Sequence, residues 1–508
     1  MSAKILSGAT VGLDSQIIEV EADFGGGQGG VFIIVGLPDM AVQESKERVW
    51  SAIKNSGLEF ARSKIVINLA PADLKKEGPA YDLPIALSIL QAAEQIVIPE
   101  NEKDALFLGE LSLDGHVRSV AGVLPIAIMA KEKGIKKMFV PEANAAEAAL
   151  MEEVEVIPVE TLSQLILYFQ GKAQLARFKP AVDWLNLRTR DYGLDMALVK
   201  GQEHAKRALE IAAAGGHNVL LSGPPGSGKT MLARAVSTIL PVLTREEILE
   251  VTKIYSVAGK LTKDKPLIVE RPFRSPHHTA SGVALVGGGT YPRPGEISLA
   301  HRGILFLDEF PEFSRQVLEN LRQPLEDGIV TVSRAQGTVT FPARFTLIAA
   351  QNPCPCGYFS DTEKKCICAP TQIIKYQKRI SGPLLDRIDL HIEVPRIKFE
   401  KLTGETAGES SAEIRARVEK ARARQTERFV NLKIKTNAEM TAKELKEFCK
   451  VDEQTLQLLK NAVQQLNLSA RAYHRVLKTS RTIADLNEAE TIQLAHVAEA
   501  LQYRTKIE

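Results

Sequence analysis

The sequence predicts an α/β protein built from two mixed α/β domains followed by a helical one. Three observations point there. Over residues 1–172, β-prone runs such as VFIIVGLP and KIVINLAP alternate with helical stretches such as DMAVQESKERVWSAIKNSG. From residue 193, a helix, an apolar strand, a Gly-rich loop and a second helix follow in turn. Beyond residue 411 only helical periodicity remains.

Taken in order, residues 1–172 read as a compact α/β domain interrupted by the turns FGGGQGG and KKEGPAYD. Residues 173–192 lose periodicity and read as a linker, and residues 193–395 form the second α/β unit. Residues 396–411 are a connection. Residues 412–508 make a small bundle from segments such as TAKELKEFCK, DEQTLQLLKNAVQQL and RAYHRVLKTSRTIADL. At 508 residues the chain is too long for one core.

Composition narrows the class. Hydrophobic residues make up 44% and charged residues 25%, ordinary for a soluble globular protein. With 64 Lys and Arg against 62 Asp and Glu, the net charge of +2 excludes a uniformly basic coat, so any polyanion contact requires a local patch. There is no apolar run of membrane-spanning length. The opening MSAKILSGATVGLDSQ lacks the apolar core of a signal peptide. Five cysteines do not make a secreted disulfide framework. The expected compartment is the cytoplasm, with no membrane partner.

GPPGSGKT matches G-x-x-x-x-G-K-[ST] between the apolar strand NVLLS and the helix MLARAVSTIL. Gly223, Pro224, Pro225, Gly226, Ser227, Gly228, Lys229 and Thr230 would cradle the phosphates of ATP at a helix N-terminus. Lys229 would reach the β- and γ-phosphates, and the Thr230 hydroxyl would hold Mg²⁺. A second apolar strand, GILFLDEF, ends in Asp308, suited to the Mg²⁺ shell, and Glu309, suited to polarising the attacking water. A third strand, FTLIAAQNP, ends in Asn352, whose amide could position that water. In GPLLDRIDL, Arg387 either pairs with Asp386 or Asp389 or reaches a neighbouring subunit's nucleotide as an arginine finger.

Between Asn352 and Arg387 lies CPCGYFSDTEKKCIC, with Cys354, Cys356, Cys366 and Cys368. Four thiolates in one loop can form a closed structural Zn²⁺ site, although Cys-x-Cys is tighter than the usual zinc knuckle. Independent thiols and an oxidation-sensitive pair are the other readings. Upstream, IVTVSRAQGTVTFPARF reads as a hairpin whose turn carries Arg334 and Gln336. An exposed turn arginine is the plain alternative. RARVEKARAR (415–424) reads by default as a solvated helix face. The adjacent pair His277-His278 has no assigned role, since neighbouring histidines seldom chelate one ion.

The P-loop, acidic strand, polar strand and arginine, in this order, resemble an AAA+ ATPase. RPFRSPHHTASGVALVGGG and PRPGEISLAHRGILFLDE resemble its Mg-chelatase-like branch, near the MCM helicases and carrying a helix-2 insert. Nearly the whole chain is similar to the ComM/YifB family of bacterial Mg-chelatase-like proteins, whose members in natural transformation drive branch migration of DNA. The resemblance implies a homo-hexamer acting on single-stranded or branched DNA, possible partners among recombination proteins, Asn352 as sensor 1, Arg387 as the trans finger and Arg471 as sensor 2. It also implies that the hairpin enters the ring pore, where Arg334 and Gln336 are candidates for contact with DNA phosphates. Residues 1–172 resemble the Lon-protease fold through KKEGPAYDLPIALSIL and LGELSLDGHVRSVAGVLP. Ala80 and Leu124 stand where active Lon proteins place serine and lysine, so no peptidase activity is expected. Two rivals to a DNA translocase are a metal-chelatase motor, which normally lacks a Lon-like domain, and a protein remodeller, whose pore loop is usually aromatic and hydrophobic.

Overall fold

A computed structural model describes residues 3–28, 31–60, 63–179, 193–289, 292–334, 337–359, 361, 363–397, 408–466 and 468–504. They divide into two compact units. One lies within Met1–Leu187 and takes in Arg245–Val269; the other lies within Arg188–Thr244 and Glu270–Glu508.

The first unit is built on a seven-stranded mixed sheet. Its strands are β1 (Ala3–Val11), β2 (Asp14–Gln28), β3 (Phe32–Val35), β4 (Ser63–Ala70), β5 (Leu106–Phe107), β6 (Lys137–Pro141) and β7 (Glu155–Val159). Their spatial order is β3-β4-β2-β1-β5-β6-β7. The β1–β2 and β2–β4 pairs are antiparallel; the others are parallel. Helix α1 (Met40–Asn55) starts at Asp39, whose side chain accepts the Val42 amide. Helix α2 (Asp82–Ala92) is buried almost all round, which its continuous apolar sequence requires. At its first turn, the Asp82 carboxylate accepts from Arg48 at 2.7 Å and from the Leu111 amide at 3.1 Å. Burial lifts the Asp82 carboxyl to about 6 against the pull of Arg48.

Helix α3 (Val123–Glu132) buries Leu124. Arg245–Val269 belongs to this unit although it lies in sequence inside the second α/β stretch. Its helix, α6 (Arg245–Val257), receives a hydrogen bond from the Gly122 amide to the Ser256 carbonyl at 3.0 Å. Leu249 and Leu267 pack on the cluster containing Val123, Leu124 and Ile126.

In the second unit, five parallel strands take the order β9-β10-β13-β8-β14: Phe273–Arg274, Ile304–Leu307, Thr346–Gln351, Val219–Ser222 and Leu390–Glu393. Strands β8, β10 and β13 are short, almost fully buried apolar runs, as a sheet covered on both faces demands. Helices α4 (Glu203–Gly215) and α5 (Lys229–Ile239) pack against them through Leu209, Ala212, Leu232 and Val236.

Two further strands, β11 (Ile329–Arg334) and β12 (Gly337–Pro342), pair antiparallel from Ile329–Pro342 to Arg334–Gly337, forming the hairpin expected there. Between them and β10 lie the short helices α7 (Arg315–Glu319) and α8 (Arg322–Asp327). The C-terminal helices are α9 (Ser411–Arg428), α10 (Ala442–Phe448), α11 (Glu453–Gln465), α12 (Ala470–Leu486) and α13 (Leu494–Gln502). The cations of 415–424 clamp α9 to the body. Arg415 donates to the Thr238 carbonyl, Arg417 to Glu210 and Arg422 to the Ala213 carbonyl. Much of this charge run therefore faces its own protein.

Candidate nucleotide site, hairpin and cysteine cluster

Register alone gathers the nucleotide residues. Ser222 pairs with Gln351, and Leu307 pairs with Ala349, so β8, β10 and β13 end at one edge of the sheet. The loop Gly223–Gly228, the acids Asp308 and Glu309, and Asn352 all follow those C-terminal ends, the usual ligand edge of an open parallel sheet.

At that edge the Lys229 ammonium donates to the carbonyls of Gly223 at 2.7 Å and Pro224 at 2.9 Å, and to Asn352 Oδ1 at 3.3 Å. Burial pulls the Lys229 ammonium down to about 8, while nearby Asp308 acts in the opposite direction. The Thr230 hydroxyl donates to Asp308 Oδ2 at 2.8 Å. The two oxygens proposed for Mg²⁺ are therefore already together.

The residues fit a phosphate group. Gly226 and Gly228 hold φ of 76° and 92° with open space beside them, so the loop backbone turns outward. The Ser227 hydroxyl is buried with no hydrogen-bond partner among the described residues. Helix α5 opens at Lys229, leaving first-turn amides at the loop. Glu309 sits in the left-handed region at φ 51°, and its Oε2 lies 3.1 Å from His278 Nδ1. Sequence spacing could not have revealed that partner of the acidic strand, because His278 comes from the distant insert.

Arg387 and Arg471 are brought together elsewhere. Both bond the carboxylate of Glu326 on α8, Arg387 through Nη2 and Arg471 at 3.2 Å. Arg387 also donates to the Pro383 carbonyl at 2.7 Å, and its side chain is only 7% exposed. Neither Asp386 nor Asp389 is its ion-pair partner here. Asp389 instead binds Arg475 at 2.5 Å and the Asn218 amide at 2.9 Å. Burial would raise the Asp389 carboxyl, but Arg475 and His217 hold it far below the usual range. Arg475, on the same helix as Arg471, was not singled out by sequence. One helical turn separates the exposed arginine from the half-buried one.

Strand register also separates Arg387 from its own P-loop. β14 runs parallel to β8 with Leu390 beside Val219 and Glu393 beside Ser222. Arg387 precedes β14 and the P-loop follows β8, so the two stand at opposite sheet edges, about 13 Å apart along four strand residues.

The hairpin backbone is described up to Arg334 and again from Gly337. Gln336 and the Arg334 side chain lie outside the described residues. The four cysteines do converge: the sulfurs of Cys354, Cys356, Cys366 and Cys368 all lie within 4.8 Å of one another. Cys354 is buried and the other three are partly buried. The amides of Tyr358 and Ile367 draw the Cys356 thiol down to about 6.

Comparison with known proteins agrees with this arrangement. Family models match residues 195–402 (magnesium chelatase, subunit ChlI), 20–144 (subunit ChlI of Mg-chelatase) and 408–504 (magnesium chelatase, subunit ChlI C-terminal). The competence protein ComM of Haemophilus influenzae is 44% identical over 99% of this chain and 98% of its own. The uncharacterized protein YifB of Escherichia coli is 44% identical over 98% of this chain and 96% of its own. An archaeal Lon protease of Thermococcus kodakarensis is 30% identical over 27% of this chain and 22% of its own. The fold is thus a Lon-protease-like N-terminal domain, an AAA+ core and a C-terminal helical domain.

Proposed function

We propose that this chain, which belongs to the ComM/YifB family of Mg-chelatase-like AAA+ ATPases, is a ring-forming DNA translocase that drives branch migration during competence. Family membership implies ATP hydrolysis with Mg²⁺. The likeness to a competence protein supports a role in DNA uptake and recombination. Among the described residues no helix is long and apolar enough to cross a membrane.

In this reading the amides after Gly226 and the Lys229 ammonium bind the phosphates. Thr230 and Asp308 would hold Mg²⁺, which when bound neutralises charge on the phosphate oxygens. The Glu309 carboxylate takes the proton of the attacking water, and Asn352 orients that water. Arg387 and Arg471 exchange Glu326 for the nucleotide of an adjacent subunit in a hexamer. The observation that carries the trans reading is the parallel register, which puts Arg387 at the edge opposite its own P-loop.

The hairpin β11–β12, with Arg334 at its turn, supplies the DNA contact, with Gln336 beside it and Cys354, Cys356, Cys366 and Cys368 holding Zn²⁺. A chelatase motor is the second reading, favoured by the family models' names. The N-terminal domain does not separate the two, since a chelatase-subunit model matches residues 20–144 as well. The expectation that a chelatase motor lacks such a domain therefore gives no discrimination.

Purified protein with ATP and a Holliday junction should move the branch point. Arg334→Ala should lose branch migration while retaining most ATP hydrolysis. A wild-type protein that hydrolyses ATP yet moves no junction would sink the translocase reading.

A further inference from the structure

We propose that the four-cysteine loop is a zinc-loaded buttress of the P-loop, so that nucleotide affinity depends on the metal. This rests on the nucleotide-site and zinc readings above and adds a coupling between them. The sulfur positions suit one ion. Cys354 lies 3.4 Å from Cys356 and 3.7 Å from Cys366, and Cys356 lies 3.6 Å from Cys366. A tetrahedral ion with Zn–S bonds of about 2.3 Å needs sulfurs about 3.8 Å apart. Disulfides would require contacts near 2 Å. A backbone amide adds to the setting: that of Cys368 donates to the Cys366 sulfur at 3.4 Å.

The coupling runs through Gly357. Its φ is 85°, and a Cβ placed there would lie 2.5 Å from Pro225 Cδ and 3.8 Å from the Asn352 side-chain carbon. The knuckle backbone therefore seats directly on the P-loop proline, beside the polar amide that touches Lys229. On the other flank, Asp361 of the same loop accepts from Arg396 at 3.0 Å. Arg396 follows β14, and the carbonyl of Val394, the residue just after that strand, leaves no room for a side chain on Gly223.

The cysteine loop is thus fastened to both sides of the phosphate cradle. It has little to order it otherwise. Its described residues between β13 and the helix at Pro370–Gln377 form neither strand nor helix. Binding one ion by four thiolates, with loss of their protons, closes the loop and fixes Gly357 against Pro225.

The test measures zinc content by plasma mass spectrometry and affinity for a fluorescent ATP analogue with Mg²⁺. The full-length protein is compared as purified, after zinc withdrawal by a chelator that spares Mg²⁺, as Cys366→Ser/Cys368→Ser, and as Gly357→Ala. The expected result is one zinc per chain, with affinity about tenfold weaker in the zinc-free protein. Gly357→Ala should keep its zinc and lose affinity by a similar factor, which separates seating from metal binding even if zinc-free protein unfolds. Absence of zinc from the purified protein overturns the proposal and leaves the nucleotide site standing. Zinc present, with unchanged affinity in both Gly357→Ala and folded zinc-free protein, overturns the buttress alone. A zinc-loaded wild type that binds no ATP analogue overturns the nucleotide reading beneath it.

Discussion

Lys229 is held on the carbonyls of its own loop until phosphate replaces them, and its lowered ammonium has a pH consequence. The free chain carries the positive charge below about 8 and sheds it above, whereas bound phosphate favours the charged form. Affinity for an ATP analogue, titrated at constant ionic strength, should therefore weaken by about tenfold between pH 7 and pH 9. Glu309→Gln should leave that affinity near wild type and cut phosphate release by about 10²–10⁴-fold. At this scale the contiguous motifs were legible: Gly223 to Thr230, Asp308, Glu309 and Asn352 are adjacent to the strands that deliver them. Their partners were not. Glu326 meets Arg387 and Arg471 across 61 and 145 residues of sequence, and His278 meets Glu309 from a separate insert. Only the packed chain brings those pairs within reach.

At the scale of elements, β14 and α12 each present an arginine whose surroundings decide its role. Arg387 stands three residues before β14, at the far edge from its own P-loop, which supports the proposed role in another copy. Mixing Arg387→Ala protein with Lys229→Ala protein should restore ATP turnover that neither has alone; a fully active Arg387→Ala protein would end the finger assignment. On α12, Arg471 is 57% exposed, so its pairing with Glu326 contributes no more than about 1 kcal/mol to stability. Arg475, one turn on, is half-buried against the buried Asp389, and Arg475→Ala should cost about 3–5 kcal/mol by leaving that carboxylate without its main partner. Denaturant melts of Arg471→Ala and Arg475→Ala check the contrast. Helical periodicity located α12 but could not rank its arginines, because the depth of each depends on β14 and its flanking loop.

For the whole molecule, the Asp389 network predicts acid sensitivity. Its carboxyl is held far below the unfolded value, which is about 4, so its stabilisation is complete above that pH and declines as pH falls below it. Wild-type melting temperature should drop steeply from pH 5 to pH 3, and Arg475→Ala should flatten that drop. The alternation of strands and helices made the three-part architecture readable, yet it could not allot Arg245–Val269, whose apolar residues follow the same helical pattern wherever they pack. That segment leaves one unit's sequence and joins the other's core, anchored by Leu249, Leu267 and the Ser256 carbonyl. The two units are consequently not interchangeable cassettes. Gene fusion or shuffling at residue 188 would strip the first core while leaving a greasy orphan in the second unit. Such threading commits the pair to be inherited and synthesised as one piece.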